Sequence, residues 1–280
     1  MKVVVTGSTG FIGKHVLAEL NRRSVKSIAM VRTREEKSIA HLGCGIVQYD
    51  LNYACPNAFE LLGRPDVIIH LAWSGLPNYK SLHHFEHELP VQYQFLKNLI
   101  KSGLQNLVVA GTCFEYGMNY GSLSEELSVK PNNPYGFAKD TLRCQLEYLK
   151  STHQFNLAWA RLFYMYGEGQ PESSLLPQLR RAVEQGEQIF NMSGGEQLRD
   201  YLPVEKVASY LVSLALAEKD IGIVNICSGY PVSVRKLVEN WIKENGWTIK
   251  LNFGHCPYQD YEPFAFWGDS RKISSIIGEA

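Results

Sequence analysis

Three glycines at fixed spacing, Gly7-x-x-Gly10-x-x-Gly13, directly follow the apolar run Val3-Val4-Val5 and open the helical pattern Ile12 to Leu20. A chain with no Cβ at the first of these positions can turn sharply out of a strand. Its backbone N–H groups can then approach an anion at the positive end of the following helix. The third glycine lets that helix lie close to the strand it has just left. A glycine triplet alone is weak evidence. Between a strand and a helix it predicts a βα unit whose turn cradles a pyrophosphate, as in a dinucleotide site.

The chain has 280 residues, enough for one large domain or one and a half. Lys and Arg total 28 and Asp and Glu total 28, so there is no net-charge footprint for nucleic acid. No apolar run reaches the ~18–20 residues that span a bilayer, so no membrane partner is expected. The first strand is expected to begin within two residues of the N-terminus, so no signal peptide is expected. Six cysteines (44, 55, 113, 144, 227 and 256) lack Cys-x-x-Cys spacing. That pattern predicts reduced thiols and a cytoplasmic location.

Strand-like and helix-like segments alternate from Val3 to Leu162, and the strands read as near-continuous apolar runs. This predicts an α/β fold, a Rossmann-like doubly wound parallel sheet covered on both faces. After Phe163 the pattern loosens into loops, short helices and an aromatic-rich tail. The expected organisation is a dinucleotide-binding domain over 1–165, with returns at about 196–226. A smaller C-terminal substrate-binding lobe is expected over 166–195 and 227–280.

Tyr135 and Lys139 are separated by one helical turn, with Pro134 at the start of the helix. A shared helix face sets an ammonium beside a phenol whose unperturbed pKa is about 10. The positive charge favours the phenolate, so the pair is expected to exchange protons with a carbonyl or hydroxyl near neutral pH. At the end of the Leu107–Ala110 strand, Thr112 offers a hydroxyl where ligands of open parallel sheets bind.

Taken in order, these motifs resemble the extended short-chain dehydrogenase/reductase family of NAD(P)-dependent nucleotide-sugar epimerases and dehydratases. The resemblance covers nearly the whole chain. It is carried by Gly7-x-x-Gly10-x-x-Gly13, Asp50-Leu51, His70-Leu71-Ala72 and Tyr135-x-x-x-Lys139. Arg161-Leu162-Phe163 with Tyr166-Gly167, and Arg199-Asp200-Tyr201, extend it. It implies Tyr135 as the acid–base, Lys139 as the ribose-binding and tuning cation, and Thr112 as the group that holds the substrate oxygen. It implies cofactor contacts from Gly7, Thr9, Gly10, Phe11, Ile12, Gly13, Asp50, Leu51, Leu71 and Ala72. On the substrate side it implies Trp73, Cys113, Phe114, Glu115, Tyr164 and Arg199. Members often dimerise through the helices near 88–102 and 134–152, so a homodimer is expected.

Departures from the family pattern narrow the activity. Sugar 4,6-dehydratases carry Thr-Asp-Glu where this chain has Thr112-Cys113-Phe114, and those two residues cannot replace an acid and a base. Strand two ends in Met30-Val31-Arg32-Thr33-Arg34, where members that prefer NAD carry an acidic residue. Arg32 and Arg34 suit a 2′-phosphate through charge-assisted bonds, so NADP(H) is expected, with NAD(H) as the alternative. The expected activity is an NADP(H)-dependent reductase of a nucleotide-activated 4-keto-6-deoxyhexose, dTDP-4-dehydro-6-deoxyglucose reductase being the nearest description. The alternative is a nucleotide-sugar 4-epimerase with tightly bound NAD. Tyr164 and Glu88 stand where Asn is common, and the aromatics Tyr258, Tyr261, Phe264, Phe266 and Trp267 either stack on a ligand or pack the small lobe. His83-His84-x-x-His87 lacks the acidic residue of His-Glu-x-x-His. It is expected to be a surface cluster, with no metal.

Overall fold

The computed structural model describes residues 1–32, 39–53 and 55–278. Its first half runs β1 (Lys2–Thr6), α1 (Phe11–Arg22), β2 (Lys26–Val31), β3 (Gly45–Gln48), α2 (Ala58–Leu61) and β4 (Val67–His70). It continues with α3 (Leu89–Lys101), β5 (Asn106–Thr112), β6 (Gly121–Leu123), α4 (Pro134–Leu149) and β7 (Asn156–Leu162). Next come β8 (Tyr164–Tyr166), α5 (Leu175–Glu184), β9 (Ile189–Asn191), β10 (Leu198–Pro203), α6 (Val204–Leu216) and β11 (Gly222–Ile226). The chain ends with β12 (Pro231–Ser233), α7 (Val234–Asn245), β13 (Lys250–Asn252), β14 (Phe266–Gly268) and α8 (Arg271–Ile277).

Seven strands form one sheet in the order β3-β2-β1-β4-β5-β7-β11. Every pairing in it is parallel, for example Val4 with Ile28 on one side and Ile68 on the other. Buried Val, Ile and Leu residues on both sides of the strands explain the continuous apolar runs. On one face β1, β4 and β7 pack beneath α1 and α6 through Val3, Val5, Leu17, Val207 and Leu211. On the other, Ile68, Leu99, Leu142 and Trp159 join the sheet to α3 and α4. The strand order reverses between β1 and β4, and ligands of such sheets bind in the crevice beyond the carboxyl ends of the strands there.

A third core unites α5 and α7 through Leu176, Leu179, Phe190, Leu237 and Trp241. It belongs to the segments expected to form the smaller lobe. One expectation needs correction. The last helix, α8, falls in the range assigned to that lobe, yet Ile273 is buried in the core beneath the main sheet, with Ile276 and Ile277 beside it. Lys272 secures the helix by donating to the Ile221 and Ile223 carbonyls at β11. The aliphatic stripe of α8 had no visible partner in sequence because β11 and α6 lie far upstream. Asp200, buried on β10, accepts from the backbone of Ser228, Gly229 and Gly268, which ties the two parts of the chain together.

Candidate active site

The glycine turn leaves β1 with Gly7 at φ +63, and the Gly10 amide donates to the Gly7 carbonyl at 3.0 Å. A Cβ on Gly7 would lie 2.8 Å from the Ala72 nitrogen, and one on Gly13 only 2.2 Å from the Gly7 carbonyl oxygen. Both positions therefore require glycine if β1, α1 and β4 are to meet. Helix α1 starts with no side-chain cap and no acidic residue in its first turn, so its leading N–H groups keep their capacity for an anion. Thr6 fixes the neighbouring strand end: its hydroxyl accepts from the Leu71 and Ala72 amides at 3.1 and 3.2 Å. It also bonds His70 Nδ1 at 2.9 Å, and burial holds His70 neutral, with its pKa pushed down to about 3.

A cleft of about 700 Å³ opens at this switch point. From the glycine turn it is lined by Gly7, Thr9 and Gly10, and from the segment just after β4 by Leu71, Ala72 and Trp73. Arg32, Asp50 and Leu51 complete the far end. Its glycine floor, uncapped helix start and Asp50 carboxylate fit a dinucleotide. Phe11, Ile12 and Gly13 do not line the cleft. The Phe11 ring packs on His15 and Ile12 on the core, so at these positions only the backbone remains to face an anion. Arg32 is exposed, whereas Arg34 lies outside the described residues. Sequence reading missed Ser74, His87, Glu88 and Gln92, which also line the cleft. Ser74 lies in the loop after β4, His87 and Glu88 in the turn that leads into α3 and Gln92 inside α3, and the sequence motifs gave none of them a place in the cleft.

Thr112, Tyr135 and Lys139 come together at the carboxyl end of β5. Thr112 ends that strand, and Asn133 caps α4 by accepting from the Gly136 amide at 2.8 Å. Gly136 lies against the Phe114 carbonyl, where an added Cβ would stand at 2.6 Å, so α4 can press Tyr135 close to Thr112. Thr112 lies beside the Tyr135 phenol and favours its ionised form, the smallest of the influences on it. Lys139 is fully buried, donates to the Ala110 carbonyl at 2.8 Å and lies 5.9 Å from the centre of the Tyr135 ring. The Tyr135 ring is 8 % exposed, because Trp73, Tyr79, His84 and Phe114 surround it.

This burial corrects the expected effect of the lysine on the tyrosine. Desolvation raises the Tyr135 phenol well above its ordinary value, and nearby Tyr79 and Glu115 push in the same direction. The same desolvation pushes Lys139 down to about 7. One helical turn of separation was read as direct charge stabilisation, but in this packed site burial outweighs it.

Glu115, Arg199 and Tyr164, expected on the substrate side, have other work. Glu115 is completely buried and accepts from Arg161 Nε at 2.7 Å, Trp159 Nε1 at 2.9 Å and the Thr112 amide at 2.8 Å. Its carboxylate is closed to any ligand and instead holds the Thr112 turn. The Arg199 guanidinium is 3.1 Å from Glu262 and donates to the Phe264 carbonyl at 3.0 Å. Tyr164 donates to the same Glu262. Arg199 and Tyr164 thus anchor the segment that carries Tyr261, whose ring lies 5.8 Å from Tyr79 and 6.0 Å from Phe114. Cys113 is buried, and burial pushes its thiol well up, which leaves it inert as an acid or base. Phe114 and Trp73 remain as walls around Tyr135. Of the tail aromatics, Phe266 packs in a core with Phe163 and Tyr116, while Tyr261 faces the site.

The histidine cluster also differs from expectation. His84 is buried, accepts from Trp73 Nε1 at 3.1 Å and bonds the Asn78 carbonyl through Nε2 at 2.8 Å. His83 and His87 stack at 4.8 Å, and both face Glu88, the residue directly after His87.

Comparison with known proteins agrees with this geometry. The NAD dependent epimerase/dehydratase family matches residues 3–227. The chain is 30% identical over 270 residues to a dTDP-6-deoxy-L-talose 4-dehydrogenase (NAD(+)) of Aggregatibacter actinomycetemcomitans, covering 96% of this chain and 99% of that one. It is 25% identical to a dTDP-4-dehydro-6-deoxyglucose reductase of Escherichia coli, over 85% of this chain and 79% of the relative. Among solved structures it is similar to MoeE5 in complex with UDP-glucuronic acid and NAD, at a TM-score of 0.83 and 26% identity, covering 99% of this chain and 93% of that one. Sequence, sheet order and site geometry agree: this chain is an enzyme of the NAD dependent epimerase/dehydratase family.

Proposed function

We propose that the protein interconverts a keto group and a hydroxyl at C4 of a nucleotide-activated 6-deoxyhexose, acting as an NADP(H)-dependent reductase of a dTDP-linked 4-keto sugar. The observation that carries the reading is the Thr112–Tyr135–Lys139 group, set at the end of β5 with Cys113 and Phe114 beside it instead of two carboxylates. Tyr135 gives a proton to the sugar oxygen at C4, or takes it back in the reverse direction. Thr112 holds that same oxygen. Lys139 keeps a proton within reach of the site, since its pKa of about 7 lets it exchange near neutrality. When bound, the nicotinamide supplies or accepts the hydride. Phe114, Tyr79 and Tyr261 keep water from the reacting carbon. The printed activities of the Aggregatibacter and Escherichia relatives support a dTDP sugar and chemistry at C4.

The NADP(H) preference rests on Arg32 at the cleft end and competes with the NAD(+) in the relative's name. A second reading, a nucleotide-sugar 4-epimerase with retained NAD, draws support from a 26% identical relative described as an uncharacterized UDP-glucose epimerase of Bacillus subtilis. The test is nicotinamide absorbance with dTDP-4-dehydro-6-deoxyglucose and NADPH or NADH, and with dTDP-6-deoxy-L-talose and the oxidised cofactors. Turnover supports the proposal. Silence with all four pairs, together with NAD that survives gel filtration and UDP-hexose interconversion, gives the epimerase. The reading includes a homodimer through α3 and α4, supported by exposed Phe137 and Tyr148 on α4, which sedimentation tests. It also includes a cytoplasmic setting, supported by six free thiols; among the described residues no helix is long and apolar enough to cross a membrane.

A further inference from the structure

We propose that His83, His87 and Glu88 form a binding site for a divalent transition-metal ion on the wall of the cleft. The donor atoms are already gathered: His83 Nε2 lies 3.4 Å and His87 Nδ1 3.6 Å from the same Glu88 oxygen, Oε1. All three donors fall within 4.8 Å of one another. Bonds of about 2.0–2.2 Å at tetrahedral angles would put neighbouring ligand atoms about 3.3–3.6 Å apart, close to the observed spacing, and an ion would take the place of the Ser74 hydroxyl that now meets His83 Nε2 at 3.1 Å.

The local winding explains why these three meet. Residues His84–Glu88 form a π-helical turn that runs directly into α3. In an α-helix, residues five apart point about 140° away from each other, and His83 could not face Glu88. The wider i→i+5 turn brings positions 83, 87 and 88 to one side. Such turns recur at functional sites.

The surroundings are those of a built ligand set. Glu88 is 5 % exposed, with no lysine or arginine bonded to its carboxylate among the described residues. Instead the Ser74 amide donates at 3.1 Å, the Ser74 hydroxyl at 2.5 Å and Gln92 Nε2 at 2.8 Å. These partners fix the orientation of the carboxylate. They resemble the outer-shell contacts that orient metal-binding carboxylates. Two imidazoles and one carboxylate suit zinc and its neighbours, whereas magnesium and calcium take oxygen sets. His87 and Glu88 also line the cleft, so open coordination positions would face it and could take water or an oxygen of a bound ligand.

The test is calorimetric titration of chelator-treated full-length protein with Zn²⁺, alongside visible spectra with Co²⁺. The proposal expects one ion per chain, a Co²⁺ d–d band without thiolate charge transfer, and a rise in unfolding temperature with Zn²⁺. His83→Ala and His87→Ala should each weaken binding beyond the roughly 10–100-fold that loss of an outer-shell partner costs. Both side chains are partly exposed, at 38% and 49%, so the variants should keep the metal-free unfolding temperature. No bound ion, an ion held equally well by both variants, or a thiolate band that assigns the ion to cysteine would each overturn the proposal.

Discussion

The Lys139 ammonium lies 4.0 Å from the centre of the Trp73 ring, between the cleft and Tyr135. Its one hydrogen-bond acceptor among the described residues is the Ala110 carbonyl. An indole face and a single carbonyl compensate a buried cation only in part, which is why its pKa falls to about 7. That link between a cleft residue and a proton-handling residue has a measurable consequence.

Folding stability should rise with pH between about 7 and 10.5. The folded state has lost the Lys139 proton in that window, while the unfolded chain still binds it, so raising the pH favours folding. The rise attributable to this group is on the order of 2 kcal/mol between pH 7 and 9. Denaturant unfolding at the two pH values should show that excess in the wild type over Lys139→Met. Equal slopes in the two proteins would count against the lowered pKa.

Tyr135→Phe removes the proton donor and keeps the ring packed among Trp73, Tyr79 and His84. We expect kcat to fall by about 10²–10⁴, with dinucleotide affinity unchanged by equilibrium titration. Retention of turnover would remove Tyr135 from the chemistry.

Glu115→Ala leaves the Arg161 guanidinium buried without a counter-charge. The expected loss is about 3–5 kcal/mol, seen as a lower unfolding midpoint. Replacing both residues with apolar groups of similar volume should recover much of it. If Glu115 served the substrate instead, KM would change while the midpoint held.

Gly13→Ala sets a methyl 2.2 Å from the Gly7 carbonyl oxygen. The backbone on either side must yield, at about 1–3 kcal/mol. We expect a lower melting temperature and a loss of dinucleotide affinity together, measured by thermal unfolding with and without NADPH. A variant that melts and binds like the wild type would show that the turn can relax.

Arg32→Ala should lower kcat/KM for NADPH by about 10–100-fold relative to NADH, the equivalent of the roughly 1.5–3 kcal/mol of a hydrogen bond to a charged group. An unchanged ratio of the two cofactors would assign Arg32 to solvent.

The legible parts of this protein are those whose chemistry permits few alternatives. Gly7 and Gly13 could be read directly because no other residue fits where they stand, and Tyr135 and Lys139 because one helical turn joins them. Glu115 was misread for the opposite reason. It follows Thr112 closely in sequence, yet the short turn at Cys113–Tyr116 sends its side chain back beneath β7 toward Arg161, away from the cleft. Glu88 escaped notice as a partner of His83 because helical spacing assumes α winding, and the π turn breaks that assumption. Tyr79 packs on Tyr135, and Tyr261 packs on Tyr79 and Phe114; both come from segments without a motif, and only the tertiary fold brings them to the site.

Tyr261 is carried by a stretch between β13 and β14, held through Glu262 to Arg199 and Tyr164 and through Asp260 to Lys80 at 2.8 Å. Thr112, Tyr135 and Lys139 belong to the strands and helix of the central sheet. The cover and the reacting groups therefore rest on separate supports. Exchanges within residues 258–264 can reshape the space beside Tyr79 and Phe114 while Thr112, Tyr135 and Lys139 stay in register. Under the proposed function, this architecture leaves a change of preferred sugar open to evolution without rebuilding the catalyst.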